Sequence, residues 1–158
     1  MGKYYIAYGS NMDERQMTYR CPTARLVGKS EIEGYGLLFK GSKTGAYATI
    51  EPKTGSRVPV LLWEIEETDE RNLDHYEGFP AFYYKRDLEV ELDGGRKTAM
   101  VYIMDEKRKL GVPSTGYYDI LERAYAKFGF DKTILEQAMA GSESLNVVYG
   151  MDKVKPIK

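Results

Sequence analysis

Lys3-Tyr4-Tyr5-Ile6-Ala7-Tyr8-Gly9-Ser10-Asn11-Met12 is the stretch on which the organisation of the chain turns. From Lys3 to Tyr8 the aromatic and β-branched content is that of a strand, and at Gly9-Ser10-Asn11 a cluster of turn formers takes over. The reading is a first strand that runs into a tight loop. Asn11 is placed to cap a helix from Met12 to Arg20, with Asp13 and Glu14 in the first turn, where the helix dipole favours acids, and Pro22 as its stop. Ser10 and Asn11 then lie at a helix N-terminus, where bare amides point outward. Gly9, lacking a Cβ, lets a ligand come close to the backbone.

Working outward, Ala24 to Phe39 is strand-like and interrupted by Gly28, Gly34 and Gly36, the pattern of a long bent strand that curves a sheet. Tyr47–Ile50 and Val58–Ile65 read as two strands joined by a hairpin at Glu51-Pro52-Lys53-Thr54-Gly55-Ser56, with Pro59 near an edge or a strand start. Phe82–Leu92 and Lys97–Met104 flank the hairpin signal Asp93-Gly94-Gly95-Arg96 and complete the strands. Thr68 is the expected N-cap of a helix that Gly78 ends. Tyr117, Ile120, Leu121, Ala124 and Phe128 form one apolar stripe of a third helix, ended by Gly129. Asp131 caps a fourth, which Gly141 closes near Ala140. The expectation is a single α+β domain over residues 1–150, followed by a frayed tail at 151–158.

Composition narrows the function. The 158 residues fit one domain, and 23 basic against 24 acidic residues give no broad electrostatic reason to bind nucleic acid or an anionic membrane. No run of eighteen apolar residues occurs, and Met-Gly-Lys-Tyr-Tyr-Ile lacks the apolar core of a signal peptide. Cys21 is the lone cysteine, so no internal disulfide forms, and a cytoplasmic location is expected. With one cysteine and one histidine (His75), metal-ligand spacing is absent, as are the glycine fingerprints of nucleotide sites. No metal and no cofactor are therefore expected. What remains for chemistry is carboxylate, tyrosine and backbone.

Glu77 stands out among the carboxylates. It lies four residues beyond Leu73 and one beyond Tyr76, so it falls on or beside the buried face of its helix, while Asp74 and Arg71 point outward. An acid at a helix C-terminus also opposes the dipole.

The segments Ala7-Tyr8-Gly9-Ser10-Asn11-Met12, Ala48-Thr49-Ile50, Val60-Leu61-Leu62-Trp63-Glu64-Ile65, Asn72-Leu73-Asp74-His75-Tyr76-Glu77-Gly78 and Tyr102-Ile103-Met104, in that order, resemble the γ-glutamylcyclotransferase (AIG2-like) superfamily. The resemblance covers most of the chain. It implies a mixed, closed or nearly closed β-barrel with flanking helices, and a cofactor-independent conversion of a γ-glutamyl compound to 5-oxoproline and a free amine. It carries the proton-transferring acid to Glu77 and the substrate-cradling loop to Tyr8, Gly9, Ser10, Asn11 and Met12. Two pocket aromatics correspond to Tyr84 and Tyr117, with Tyr83 and Tyr118 as the adjacent alternatives. Ser10-Asn11 is the form found in the γ-glutamyl dipeptide enzymes, whereas Glu77-Gly78-Phe79-Pro80-Ala81-Phe82-Tyr83 resembles the γ-glutamylamine branch. The amine half of the substrate stays open, as do the oligomeric state and the choice between degradation and removal of a biosynthetic protecting group. The competing reading is a non-catalytic barrel of the same fold that binds a small ligand or a partner.

Overall fold

A computed structural model of the chain describes residues 2–42 and 45–154. Its strands are β1 (Lys3–Ala7), β2 (Arg25–Ser42), β3 (Gly45–Ile65), β4 (Tyr83–Leu92), β5 (Gly95–Met104) and β6 (Lys109–Leu110). Its α-helices are α1 (Glu14–Arg20), α2 (Glu67–Glu77), α3 (Thr115–Phe128) and α4 (Lys132–Val154). All strands belong to one sheet of order β4-β5-β1-β3-β2-β6. Among the described residues only the β1–β5 pairing is parallel, with Tyr5 opposite Met100; β1 meets β3 antiparallel, with Ile6 opposite Leu62.

Register breaks curl this sheet. β2 is interrupted between Leu26 and Gly28 and again between Glu33 and Tyr35, and each extra residue bends the strand. At Gly28 the strand passes so near β4 that a Cβ would lie 2.7 Å from the Leu92 side chain. The sheet ends nonetheless do not pair, so the expected barrel is a curled half-barrel in the α+β class. Covered on both faces, β5 is buried without interruption from Ala99 to Met104 rather than alternating in and out.

Several expected boundaries move. The Glu51–Ser56 turn signal does not split β3: Tyr35 pairs with Pro52 and Glu33 with Arg57, so Lys53 to Ser56 bulge out opposite Gly34 within one continuous strand. Pro59 is tolerated there because β1 covers β3 only from Leu61 onward, leaving no ladder partner that its missing N–H would serve on that side. Asn11 does not cap α1. Ser10–Met12 form a 3-10 turn, and Asp13, whose side chain accepts from the Arg15 N–H at 3.3 Å, is the cap. Helix α2 starts from Glu66 rather than Thr68, because the Asp69 carboxylate accepts from the Glu66 N–H at 3.0 Å. The short β6 lies beyond the point where the sequence pattern ends. Helix α4 runs through Gly141 and the 150/151 boundary; residues 155–158 of the expected tail lie outside the described residues.

Helix α2 is held by Leu73, which has no exposed surface; truncating so buried a leucine costs about 2–5 kcal/mol. Thr23 adds a polar tie by donating to buried Asp69. Among the described residues no helix is long and apolar enough to cross a membrane.

Candidate active site

Two chain segments meet at the open end of β1. One is the loop that follows Ala7, and the other is the last turn of α2. Gly78 ends that helix in the left-handed conformation (φ 66°), its N–H donating to the carbonyls of Asp74 and His75, and the Phe79 N–H returns to Asp74 O at 2.9 Å. This doubly tied cap fixes the direction in which Glu77 leaves the helix. Together the segments enclose a cavity of about 360 Å³ lined by Tyr8, Gly9, Ser10, Asn11, Glu77 and Tyr117, with further walls from β1, β3, β4 and β5.

Glu77 is half-buried, and no group among the described residues donates a hydrogen bond to its carboxyl. Desolvation pushes its pKa up to about 7, while the charge of Arg20 works in the opposite direction. An uncompensated carboxyl that titrates near neutrality can both accept and return a proton.

Phenols surround it, and their protons can be accounted for one by one. Tyr8 donates to Tyr102 O at 2.6 Å, Tyr83 to Ala48 O at 2.9 Å, and Tyr102 to Asp74 at 2.6 Å. Tyr5 instead accepts from the Asn11 side-chain amide at 2.9 Å, and Tyr117 accepts from the Ala48 N–H at 3.0 Å. Those two hydroxyls therefore keep their own protons for a ligand. Burial, with Glu77 adding to it, raises the pKa of Tyr5, Tyr8 and Tyr83 well above the usual phenol value, so they stay protonated donors. Burial raises Tyr117 as well, against the Ala48 amide.

The loop contributes backbone. The Met12 N–H is used by Gly9 O and the Asp13 N–H by Ser10 O, both at 3.0 Å, and a 3-10 turn leaves its first amides, those of Ser10 and Asn11, without an internal partner. Gly9 is required for the fit rather than for its φ of −121°: a Cβ there would meet the Tyr117 hydroxyl at 3.0 Å.

Two of the expected pocket residues lie elsewhere. Tyr84 points to the opposite face of β4, where its hydroxyl reaches Glu106 and burial plus that acid push its pKa up to about 12. Strand alternation puts its neighbour Tyr83 on the cavity instead, at 7% exposure. Met12 has no exposed surface and packs in the core, so neither its side chain nor its amide faces the cavity. Asp74, expected to face outward, is bound by Tyr102 and Lys85.

Sequence reasoning missed Tyr5, Tyr102 and Arg20, and held Tyr83 only as the alternative to Tyr84. The three tyrosines sit on strands, and nothing local marked which of 14 tyrosines share one cavity. The mouth carries Tyr47 and Tyr76, 45% and 48% exposed, with Phe82 packed edge-on to Tyr47. Among the described residues no cluster of three His, Cys, Asp or Glu side chains could hold a metal ion.

A curled mixed sheet with flanking helices is the fold that the similar proteins share. The model of the family described as gamma-glutamyl cyclotransferase, AIG2-like, matches residues 5–120, and the chain belongs to that family. It is 28% identical over 126 residues to the Homo sapiens protein named gamma-glutamylcyclotransferase, a match that covers 74% of this chain and 66% of that relative's length. A solved structure named gamma-glutamyl cyclotransferase superposes with a TM-score of 0.79 at 24% identity, covering 89% of this chain and 88% of its own. YkqA from Bacillus subtilis superposes with a TM-score of 0.74 at 22% identity, over 90% of this chain and 55% of its own.

Proposed function

We propose that the protein is a γ-glutamyl cyclotransferase that closes the glutamyl half of a γ-glutamyl amide into 5-oxoproline. In the reaction the substrate's α-amine nitrogen attacks its own γ-carbonyl carbon, the amide C–N bond breaks, and the freed amine leaves with the proton that the attacking nitrogen lost. Holding the glutamyl chain bent supplies much of the acceleration, since well-oriented intramolecular attack is worth about 7–11 kcal/mol. Glu77 then moves one proton, from the attacking nitrogen to the leaving one. Its pKa of about 7 suits both halves of that transfer. The amides of Ser10 and Asn11 and the hydroxyls of Tyr5 and Tyr117 are the donors for the substrate's α-carboxylate and for the oxyanion on the γ-carbonyl, a donor in the second role being worth about 2.7–4 kcal/mol. No nucleophile from the protein and no cofactor enters the scheme. A cytosolic setting belongs to the same reading.

The observation that carries this proposal is the isolation of the Glu77 carboxyl among donors. A site built only to hold an anionic glutamyl group gains nothing from an unpaired acid, which argues against the non-catalytic barrel. The test is a panel of γ-glutamyl amino acids and γ-glutamyl amines scored for 5-oxoproline with the parent protein and with Glu77→Gln. Release by the parent and its loss in the folded variant support the reading. Equal turnover by both removes Glu77 from the mechanism, and ligand binding without product favours the binding module.

A further inference from the structure

The loop and the end of α2 are distant in sequence, and one side chain bridges them. Arg20, the last residue of α1, sends one guanidinium nitrogen to the loop, to Ser10 Oγ at 3.3 Å and to Asn11 Oδ1. Its other terminal nitrogen reaches the Tyr76 hydroxyl, and the guanidinium carbon lies 3.5 Å from the centre of the Tyr76 ring. The Arg20 carbonyl is held as well, accepting from the Asn72 side-chain amide at 3.1 Å. On the loop side Asn11 is fixed in turn, by Tyr5 and by the Trp63 indole N–H, which donates to Asn11 O at 3.2 Å. The chain of contacts thus runs from Trp63 and Tyr5 through Asn11 and Arg20 to Tyr76, one residue before Glu77.

We propose that Arg20 is a positioning residue of this site: it clamps the Ser10-Asn11 turn to the last turn of α2 and so sets where the Glu77 carboxyl stands relative to the loop amides. The inference rests on the cyclotransferase reading for its catalytic consequence, but not for its structural one. A planar guanidinium is suited to the task because it lies over the Tyr76 ring while one of its nitrogens serves two acceptors on the loop; a lysine ammonium would keep the charge and lose the fork. The titratable groups that line the cavity with Glu77 are Tyr5 and Tyr8 from the β1 side, Tyr47 from β3, Tyr83 from β4, Tyr102 from β5, Tyr117 from α3, and His75 and Tyr76 on its own helix, and Arg20 supplies the cation beside them. Its removal frees the geometry and withdraws the charge that favours ionised Glu77.

The experiment compares the full-length parent with Arg20→Gln and Arg20→Lys. The Glu77 titration is read by carboxyl carbon-13 NMR, the resonance being assigned by its loss in Glu77→Gln. Release of 5-oxoproline is read with γ-glutamyl-alanine and γ-glutamyl-ethylamide. In Arg20→Gln the Glu77 midpoint rises by about half a pH unit or more. The acidic limb of the rate profile moves up with it, and kcat falls roughly 10- to 100-fold while KM changes by less than about threefold. Arg20→Lys keeps the midpoint near the parent's and recovers only part of kcat. A folded Arg20→Gln with the parent's midpoint and kcat overturns the proposal, and so does an Arg20→Lys with full kcat. Should Arg20→Gln not fold, Arg20→Lys decides alone by the same criterion. If the parent releases no 5-oxoproline from either compound, the cyclotransferase reading fails separately. The NMR midpoint of Arg20→Gln then decides on Arg20, an unmoved value counting against it.

Discussion

Two concave regions of this molecule treat charge in opposite ways. The groove between the β2–β3 hairpin and α4, at about 480 Å³, is larger than the Glu77 cavity at about 360 Å³. Three of its ionic groups are paired, Arg57 with Glu31 at 3.1 Å and with Asp131 at 4.0 Å, and Glu51 with Lys40, while Lys53 on its rim is exposed to solvent. In the smaller cavity a single carboxyl stands among phenols and amides, and no group among the described residues donates to it. Size does not separate the two regions; stranded charge does. An unpaired acid in a desolvated place costs stability, and a fold retains such a cost where the group has chemistry to perform.

Variants break the comparison most sharply at Glu77. Glu77→Gln is expected to lower 5-oxoproline release by about 10²- to 10⁴-fold, the usual weight of general acid–base catalysis, while circular dichroism and the melting curve stay native. Gly9→Val comes next. Even a bare Cβ would stand 3.0 Å from the Tyr117 hydroxyl, so the larger side chain must displace the loop, with roughly 100-fold lost in kcat/KM and about 1–3 kcal/mol in stability by urea unfolding.

The stranded acid also leaves a signature in stability against pH. Its folded-state pKa of about 7 lies above the ordinary value of 4.5, so the native state binds the proton more tightly than the unfolded chain does. The contribution of this group is fully present below pH 4.5 and is lost as pH rises toward 7, a change of at most roughly 3 kcal/mol. Glu77→Gln should flatten that part of the stability profile. An unchanged profile would show that the carboxyl is solvated in solution.

Smaller effects test the two faces of β4. Tyr83→Phe strands the buried Ala48 carbonyl and is expected to cost about 1–3 kcal/mol, whereas Tyr84→Phe, on the outer face, stays within about 0.5 kcal/mol. The least change is expected from Arg57→Ala in the paired groove. Its partner Glu31 is as exposed as it is, so the loss is about 0–1 kcal/mol with 5-oxoproline release unaffected.

Much of this arrangement was legible from the residues. The strand running into Gly9-Ser10-Asn11, the helix stop at Gly78, the Asp93-Gly94 turn and the stripe of α3 each rest on local rules of backbone and periodicity, and each is where those rules place it. The Glu51–Ser56 segment misled because turn residues also make bulges, and the choice between the two is made by the partner strand, which local sequence does not contain. Gly141 failed as a stop for a related reason, since helix α4 packs Leu135 and Ala138 into the core and holds Ser142 on Phe39 O, and tertiary contact outweighs the propensity cost of one glycine. In the site, Glu77 and the loop were visible because each carries a local signal. The phase of Tyr83 against Tyr84 and the bridge made by Arg20 are relations between distant elements, so no window of sequence displays them.

Strand β1 is only five residues long, yet among the described elements it alone joins the β2–β3 hairpin to the β4–β5 hairpin. Each hairpin closes between chain neighbours, while the pairing of Tyr4 with Ala99 must wait for most of the polypeptide to arrive. Local contacts form fast and distant ones slowly, so both hairpins are expected to gain protection in pulsed hydrogen exchange before Lys3–Ala7 does. Because the glycine loop hangs from the end of that late strand, the molecule would acquire its architecture first and the cavity around Glu77 last.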